Sequence, residues 1–185
     1  QPTLAAEMSQ FQERIHHRGM SSITAIEAVY VPSDDLTDPA VVTIFSYLDS
    51  IVVLSRDYVQ RALYPAIDPL LSSSSYLDPV IVGQKHMDIA SQVLSLFHKY
   101  EELRKIVAII GVEALSKQER TAYERAQRMK FFLTQPFFTA EIYTGRKGQY
   151  VTLQDTLKGA EKILKGDLDK TPLDQLYLIG AIEEA

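Results

Sequence analysis

The stretch Ile23-Thr24-Ala25-Ile26-Glu27-Ala28-Val29-Tyr30, followed by the loop Val31-Pro32-Ser33-Asp34-Asp35-Leu36-Thr37-Asp38-Pro39, predicts the architecture of the first part of the chain. The first segment is mostly apolar and rich in β-branched residues, as is typical of a strand buried on both faces of a parallel sheet. The loop ends with Asp38 before Pro39, which favours a helix that has Asp as its N-cap and Pro at its first position. A strand followed by a helix is the repeating unit of an α/β fold.

The segments on either side of this stretch continue the alternation of helix and strand. The N-terminal segment predicts a helix that begins at Pro2 and ends near His16, because its apolar residues recur every three or four positions. Residues 38–48 suit a short helix, and residues 51–54 suit a second buried strand. Two buried strands with helices between them predict a parallel-sheet α/β domain over residues 1–80.

The second half of the chain has a different pattern of residue types. Residues 64–79 contain three prolines and the run Ser72-Ser73-Ser74-Ser75, which indicates a connection between domains and a boundary near residue 80. Beyond it, Ser116 and Glu119 predict a capping box, and Gly111 and Gly166 are suitable helix ends. Residues 153–164 predict a further helix, and an apolar stripe predicts a long first one, at Met87, Ala90, Val93, Leu94, Phe97, Tyr100, Ile106, Val107 and Ile110. Residues 81–185 are therefore predicted to form an all-helical bundle.

Composition excludes several classes of protein. The 185 residues are 46% hydrophobic, enough to bury a real core, and contain no cysteine, which excludes disulfides and thiolate chemistry. A formal net charge of −5 without a Lys/Arg-rich run argues against a nucleic-acid binder. The longest apolar runs are too short to cross a bilayer. The sequence begins at Gln1 without an initiator Met or a signal peptide, so we expect a fragment of a soluble or peripheral protein.

Chemical motifs are scarce. The chain has no phosphate-binding Gly-x-x-x-x-Gly-Lys-Ser/Thr loop, and Gly145-Arg146-Lys147-Gly148 is more simply a turn. The four histidines lack the spacing of a zinc hydrolase, and no nucleophile elbow occurs. Two aromatic clusters remain, Tyr64 before Pro65 and a second cluster after Pro136 that comprises Phe137, Phe138 and Tyr143. Residue types alone favour core packing for both clusters.

A family resemblance gives these clusters a second interpretation. The chain resembles the C-terminal portion of the β subunit of F-type ATP synthases over essentially all of its length. The segments that carry the resemblance are residues 1–5, 30–40, 54–56, 64–70, 78–83, 135–137, 140–141 and 180–185. The acidic loop Asp34-Asp35-Leu36-Thr37-Asp38 is the most specific of them, because the sister α subunits and the vacuolar and secretion-type relatives lack it.

The resemblance implies a nucleotide-binding role for the aromatic clusters. Tyr64, Phe137 and Tyr143 match positions whose side chains enclose the adenine of ATP or ADP, with Ala140 alongside. Tyr143 stands where Phe is more usual. The residues that bind the phosphates and Mg²⁺, and the general base, lie upstream of Gln1 in the family, so the chain alone is expected to be inactive and to contain no catalytic residue.

The resemblance also implies contacts with a rotating shaft. Asp35, Thr37 and Asp38 match the loop that meets the central γ subunit, and Glu113, Leu115, Ser116 and Glu119 occupy the place of a strongly acidic lever. Here the lever has lost most of its acidity, which leaves a steric push through Leu115. Leu71 and Ser75 replace the usual Asp and Arg, so an ion pair near the domain hinge is absent.

The expected function follows from the resemblance as a whole. It is ATP synthesis or hydrolysis coupled by rotation to proton or sodium transport, in an alternating hexamer of α and β subunits around γ, with ATP/ADP and Mg²⁺ as ligands and no nucleic acid. The expected location is the cytoplasmic face of a bacterial inner membrane, or the matrix or stroma of an organelle, as a peripheral protein. The alternative left open is a non-enzymatic helical interaction module, in which residues 81–185 bind a partner and residues 1–80 are a scaffold.

Overall fold

The computed structural model describes residues 3–15, 19–20 and 22–182. The chain divides into two compact units, residues 1–51 and residues 52–185. The predicted end of the first helix near His16 and the last residues of the predicted helical domain lie outside the described residues.

The first unit is built on two helices. These are α1 (Leu4–Ile15) and α2 (Pro39–Phe45), and they pack on each other, with Tyr47 donating its hydroxyl to the Ala5 carbonyl at 3.1 Å. Asp38 is the N-cap of α2, since its carboxylate accepts from the amides of Ala40 at 2.8 Å and Val41 at 3.3 Å. The predicted helix start is therefore confirmed. A short strand, β1 (Ser50–Ile51), ends the unit.

The predicted strand over residues 23–30 does not form. Residues 22–30 have no regular secondary structure, and Ile26 is 97% exposed, with Ile23 and Tyr30 also exposed. A strand needs a neighbouring backbone to satisfy its amides and carbonyls, and a doubly buried strand needs layers on both faces. The described residues supply neither, so a sequence with the composition of a central strand remains extended, and the predicted parallel sheet is absent from them.

The second unit is mainly helical. It contains α3 (Arg56–Gln60), the strand β2 (Ser73–Ser74), α4 (Pro79–Val82), α5 (Gln84–Ile110), α6 (Lys117–Phe132), α7 (Glu141–Thr144) and α8 (Leu153–Lys165). Turns of 3-10 helix lie at Val112–Ala114, Phe138–Ala140 and Leu173–Leu176. The helices predicted over 117 onward and over 153–164 are confirmed, whereas α3, α4 and α7 have no counterpart in the sequence prediction.

The second predicted strand forms only in part and with a different partner. Ser55 donates to the Ala66 carbonyl at 2.8 Å, and Asp68 donates to the Val53 carbonyl at 2.9 Å, around an antiparallel bridge between Leu54 and Ile67. Val52 and Leu54 are exposed. The prediction of a buried parallel strand is wrong here. The chain reverses direction at Pro65, and residues 66–68 then supply the hydrogen-bond partners of this backbone.

The core of the second unit lies between α5, α6 and α8. Its largest buried side chains include Phe97, Leu103, Met129, Phe132 and Ile163. Of the predicted apolar stripe of α5, Phe97 and Tyr100 are buried and the earlier members are half-buried. Ile106 and Ile110 are exposed, so the stripe does not continue inward as predicted.

The predicted ends of the long helices are confirmed. Gly111 ends α5 with a φ of 85°, a conformation that glycine adopts without a Cβ clash, and Gly166 ends α8 with a φ of 91°. Ser116 and Glu119 form the predicted capping box at the start of α6.

Candidate functional site

Tyr64 and the Pro136–Phe137 segment lie side by side in the second unit. The amide of Gln135 donates to the Tyr64 carbonyl at 2.7 Å, which joins the loop after α3 to the loop after α6. Pro136 is buried, and Phe137 follows it immediately. The segments that carry Tyr64 and Phe137, which are separated by the 72 residues 65–136, are therefore brought together.

The rings of the candidate site are open to solvent. Tyr64 is 37% exposed, Phe137 is 39% exposed and Tyr143 is 88% exposed. Ala140 is half-buried and precedes α7, the helix that carries Tyr143. Core packing, which residue types alone favoured, does not describe these three rings, since core aromatic rings are almost wholly enclosed. An exposed aromatic ring is available to stack on a planar ligand.

The loop around Gly148 supports the segment that carries Phe137. Gln149 donates its amide to the Pro136 carbonyl at 3.0 Å, and Gly148 donates its amide to Glu141 Oε1 at 2.8 Å. A Cβ at Gly148 would lie 2.5 Å from Phe138 Cα, so only glycine allows this close approach. The Gly145–Gly148 segment is thus a turn, as predicted, and it braces the aromatic segment.

The C-terminal tail reaches the same region. Tyr177 donates its hydroxyl to the Ala62 carbonyl at 2.8 Å, and its ring contacts Phe131 with centroids 5.3 Å apart. Arg146 donates to the Tyr177 carbonyl at 2.5 Å. Sequence reasoning missed Tyr177, because a contact across 115 residues leaves no local periodicity or motif.

Part of the hydrogen-bonding capacity of the acidic loop in the first unit is satisfied within the loop itself. Asp35 Oδ1 accepts from the amide of Thr37 at 2.9 Å and from its hydroxyl at 2.6 Å, and the hydroxyl is the main cause of a lowered pKa at Asp35. Asp38 caps α2 through Oδ1. The three predicted rotor-contact residues of this loop therefore lie within four consecutive positions, and the carboxylates of Asp35 and Asp38 both accept local hydrogen bonds.

The glutamates of the segment that corresponds to the lever also have hydrogen-bond or ion-pair partners. Glu119 Oε2 accepts from the Ser116 hydroxyl at 2.7 Å and from its amide at 3.0 Å, and these contacts lower the pKa of Glu119. Glu113 lies 3.5 Å from an Arg120 guanidinium nitrogen. Leu115, between them, is half-buried. Neither glutamate is an isolated negative charge.

The described residues contain no group of three or more His, Asp or Glu side chains that could hold a metal ion. No described helix is long and apolar enough to span a membrane. What the site can do chemically is to stack aromatic rings on a planar base.

Comparison with known families assigns the chain. Residues 1–74 match the nucleotide-binding domain of the ATP synthase alpha/beta family, and residues 77–172, more than half of the chain, match the C-terminal domain of V and A type ATP synthase. The chain belongs to the ATP synthase family. The fold class predicted from sequence is confirmed: part of an α/β nucleotide-binding domain is followed by an all-helical C-terminal domain.

Two solved structures resemble this ATP synthase family member. NeqB, described as a unique ATP synthase subunit from Nanoarcheaum equitans, superposes with a TM-score of 0.72 and 25% identity, over 88% of this chain and 39% of that one. EscN, the assembled ATPase of the type III secretion system of enteropathogenic E. coli, superposes with a TM-score of 0.68 and 23% identity, over 88% of this chain and 37% of that one. At that identity EscN shows the shared fold alone. The chain spans less than two fifths of the length of each.

Proposed function

We propose that this chain supplies the adenine side of the nucleotide site, and the shaft contacts, of a rotary ATPase subunit similar to F-type β. The observation that carries the proposal is the pairing of half-exposed rings at Tyr64 and Phe137 on segments joined by the Gln135 to Tyr64 hydrogen bond of 2.7 Å. The family match adds the class of ligand, because residues 1–74 resemble a nucleotide-binding domain.

In this proposal the aromatic residues bind and orient the base. Stacking on an aromatic ring contributes roughly 1–3 kcal/mol per base, or about one to two decades of affinity. Tyr64 and Phe137 flank the base, Ala140 leaves room beside it, and Tyr143 closes the outer side. In the proposed site the Tyr143 hydroxyl lies at a polar or hydrated edge, because a phenol without a hydrogen-bond partner is costly to bury.

Phosphoryl transfer is assigned to the part of the subunit that this chain does not include. Mg²⁺ bound there would neutralise the charge of the β- and γ-phosphates.

The shaft contacts are proposed at the acidic loop and at the lever. Asp35 and Asp38 use Oδ1 for their local bonds, so an incoming Lys, Arg or amide donor would be met through Oδ2. At the lever Lys117 offsets part of the charge of Glu113 and Glu119, so the proposed contact there is steric and apolar through Leu115. Ser116 holds the lever by starting α6.

The proposed partners are α subunits in an alternating hexamer and a central γ subunit, in a complex attached peripherally to a bacterial inner membrane or to an organelle membrane. The F-type assignment rests on the acidic loop, whereas residues 77–172 match a domain described for V and A type enzymes. Native mass spectrometry of the full-length subunit with α and γ from the same organism separates these branches. An α₃β₃γ complex supports the F-type assignment, and a failure to assemble contradicts it.

A tryptophan introduced at position 64 tests the adenine site, because this chain contains none and emission that the wild-type subunit lacks then comes from position 64. In the full-length subunit, Tyr64→Trp should show a saturable fluorescence change when MgATP is added. Tyr150→Trp is the matched control, since Tyr150 is also an exposed tyrosine but lies outside the proposed site. Unchanged emission at position 64, with ATP binding verified by calorimetry, would return Tyr64 to a structural role and favour the interaction-module alternative.

A further inference from the structure

The segment from Tyr58 to Tyr64 is held at three separate points by the helical part of the second unit. At its end, the Gln135 amide binds the Tyr64 carbonyl at 2.7 Å. Near its middle, the Tyr177 hydroxyl binds the Ala62 carbonyl at 2.8 Å. At its start, the ammonium of Lys130 lies 5.4 Å from the centre of the Tyr58 ring.

The attachment at Ala62 coincides with an unusual backbone conformation. Ala62 has a φ of 56°, in the left-handed region that residues with a Cβ avoid. Such a conformation persists only where the surrounding contacts determine it, and it is found preferentially at functional sites. The contact that the structure provides is the hydroxyl of Tyr177, whose own position is fixed by Phe131 and by Arg146.

The attachment at Tyr58 is a buried charge in an aromatic cage. Lys130 is only 7% exposed and lies 4.1 Å from the Tyr100 ring centre and 5.5 Å from that of Phe97. Its ammonium binds Glu101 at 2.8 Å. Burial lowers the pKa of Lys130 against the opposing effect of Glu101, and an ammonium over aromatic faces is attracted to them more strongly where it is desolvated.

We propose that Lys130 and Tyr177 are positioning residues for the nucleotide base: they fix the Tyr58–Tyr64 segment and thereby orient the ring of Tyr64. This inference rests on the proposed adenine site. Neither side chain touches the base in it. Both act through Tyr64, because Lys130 contacts the ring of Tyr58 and Tyr177 binds the Ala62 carbonyl, and the segment that they hold ends at Tyr64.

The test compares ATP with tripolyphosphate, a probe without a base, in the full-length subunit. Tyr177→Phe removes the hydroxyl and keeps the ring contact with Phe131. Lys130→Met keeps an apolar side chain among the aromatic rings, and Glu101 still has Arg104 as an ion-pair partner at 3.0 Å. Each variant should weaken ATP binding about three- to tenfold, the effect of losing about one hydrogen bond or cation–π contact, and leave tripolyphosphate binding unchanged. Tyr150→Phe is the control for hydroxyl loss at an exposed tyrosine and should change neither affinity.

A double-mutant cycle with Tyr64→Ala separates positioning from general destabilisation. In the Tyr64→Ala background, Tyr177→Phe and Lys130→Met should have no further effect on the dissociation constant for ATP. Effects that persist in that background, that extend equally to tripolyphosphate, or that are absent from the single variants would overturn the inference.

Two safeguards keep the result decisive. If Lys130→Met does not fold, Tyr177→Phe alone decides, because it alters one hydroxyl on a half-buried ring. If Tyr64→Ala itself leaves ATP affinity unchanged, the proposed adenine site is wrong and the inference is overturned with it. If Tyr64→Ala weakens ATP binding but Tyr177→Phe does not, the positioning role alone is overturned.

Discussion

At the scale of single residues, several carboxylates in this chain stabilise its local structure through hydrogen bonds, helix caps and ion pairs. Asp35 accepts from Thr37, Asp38 caps α2, Glu119 completes a capping box and Asp169 pairs with Arg125. The sequence showed the caps at Asp38 and Glu119, because capping follows from neighbouring residues. It did not show the pairing of Asp169 with Arg125, which are 44 positions apart.

Neutralising the acidic loop separates shaft contact from folding. Asp35→Asn with Asp38→Asn should lower ATP turnover of the assembled complex that contains γ, and leave turnover of the complex without γ unchanged. Asn is as good an N-cap as Asp, so the free energy of unfolding should change by less than about 1 kcal/mol. Asp78→Asn, at the N-cap of α4, is the matched control and should leave both complexes unaffected. Equal losses with and without γ would show that the loop is structural.

The Asp169 to Arg125 pair should contribute pH-dependent stability. The two side chains meet through a pair of hydrogen bonds, of 2.8 Å and 2.6 Å, and Arg125 holds the pKa of Asp169 below its ordinary value. A carboxyl whose pKa is lower in the folded state adds stability above its unfolded pKa, near 3.8, and loses it as the pH falls through the folded value.

Asp169→Asn should therefore cost about 0.5–1 kcal/mol at pH 7, a value reduced for the partial exposure of the pair. The difference from wild type should shrink below about pH 4, in urea unfolding at several pH values. Asp167→Asn, at an exposed position of the same loop, is the control. A cost for Asp169→Asn that is the same at pH 3 and pH 7 would contradict the ionic origin of the effect.

At the scale of helices, the close packing of α8 on α6 depends on Gly159. A Cβ at this position would lie 2.2 Å from the ring of Phe132, which is fully buried. Helix propensity alone favours Ala over Gly by about 1 kcal/mol, so the two effects have opposite signs.

Gly159→Ala should destabilise the protein by about 1–3 kcal/mol, because overpacking outweighs propensity at a buried contact. Chemical denaturation of the full-length subunit measures this change. Gln154→Ala, at an exposed position of α8, should stay within about 0.5 kcal/mol of wild type. A stabilising Gly159→Ala would mean that α8 is free to shift away from α6.

Helix prediction succeeded where the determinants are local and failed where they are not. The stripe from Met87 to Tyr100, the cap at Ser116 and the stops at Gly111 and Gly166 are all readable from neighbouring residues, and the structure has helices there. The short helices α3 and α7 have five and four residues, fewer than two turns of periodic pattern, and are held by tertiary contacts instead.

At the scale of the whole molecule, the chain resembles part of a nucleotide-binding subunit. The segment 22–30 illustrates the consequence: its composition is that of a central strand, yet Ile23, Ile26 and Tyr30 are exposed because no strand of the described residues pairs with it. Sequence pattern reports what a segment is suited to, whereas a strand forms only beside its partners. The candidate site shows the same limit, since Tyr64 and Phe137 are far apart in sequence and only the fold places them together.

The central claim is that Tyr64 forms one side of an adenine site, and the dissociation constant for MgATP tests it most directly. Measured by calorimetry on the full-length subunit, Tyr64→Ala should weaken ATP binding by about ten- to a hundredfold, the loss of one stacked ring, while Tyr64→Phe should stay close to wild type. A dissociation constant for Tyr64→Ala equal to that of wild type would contradict the account.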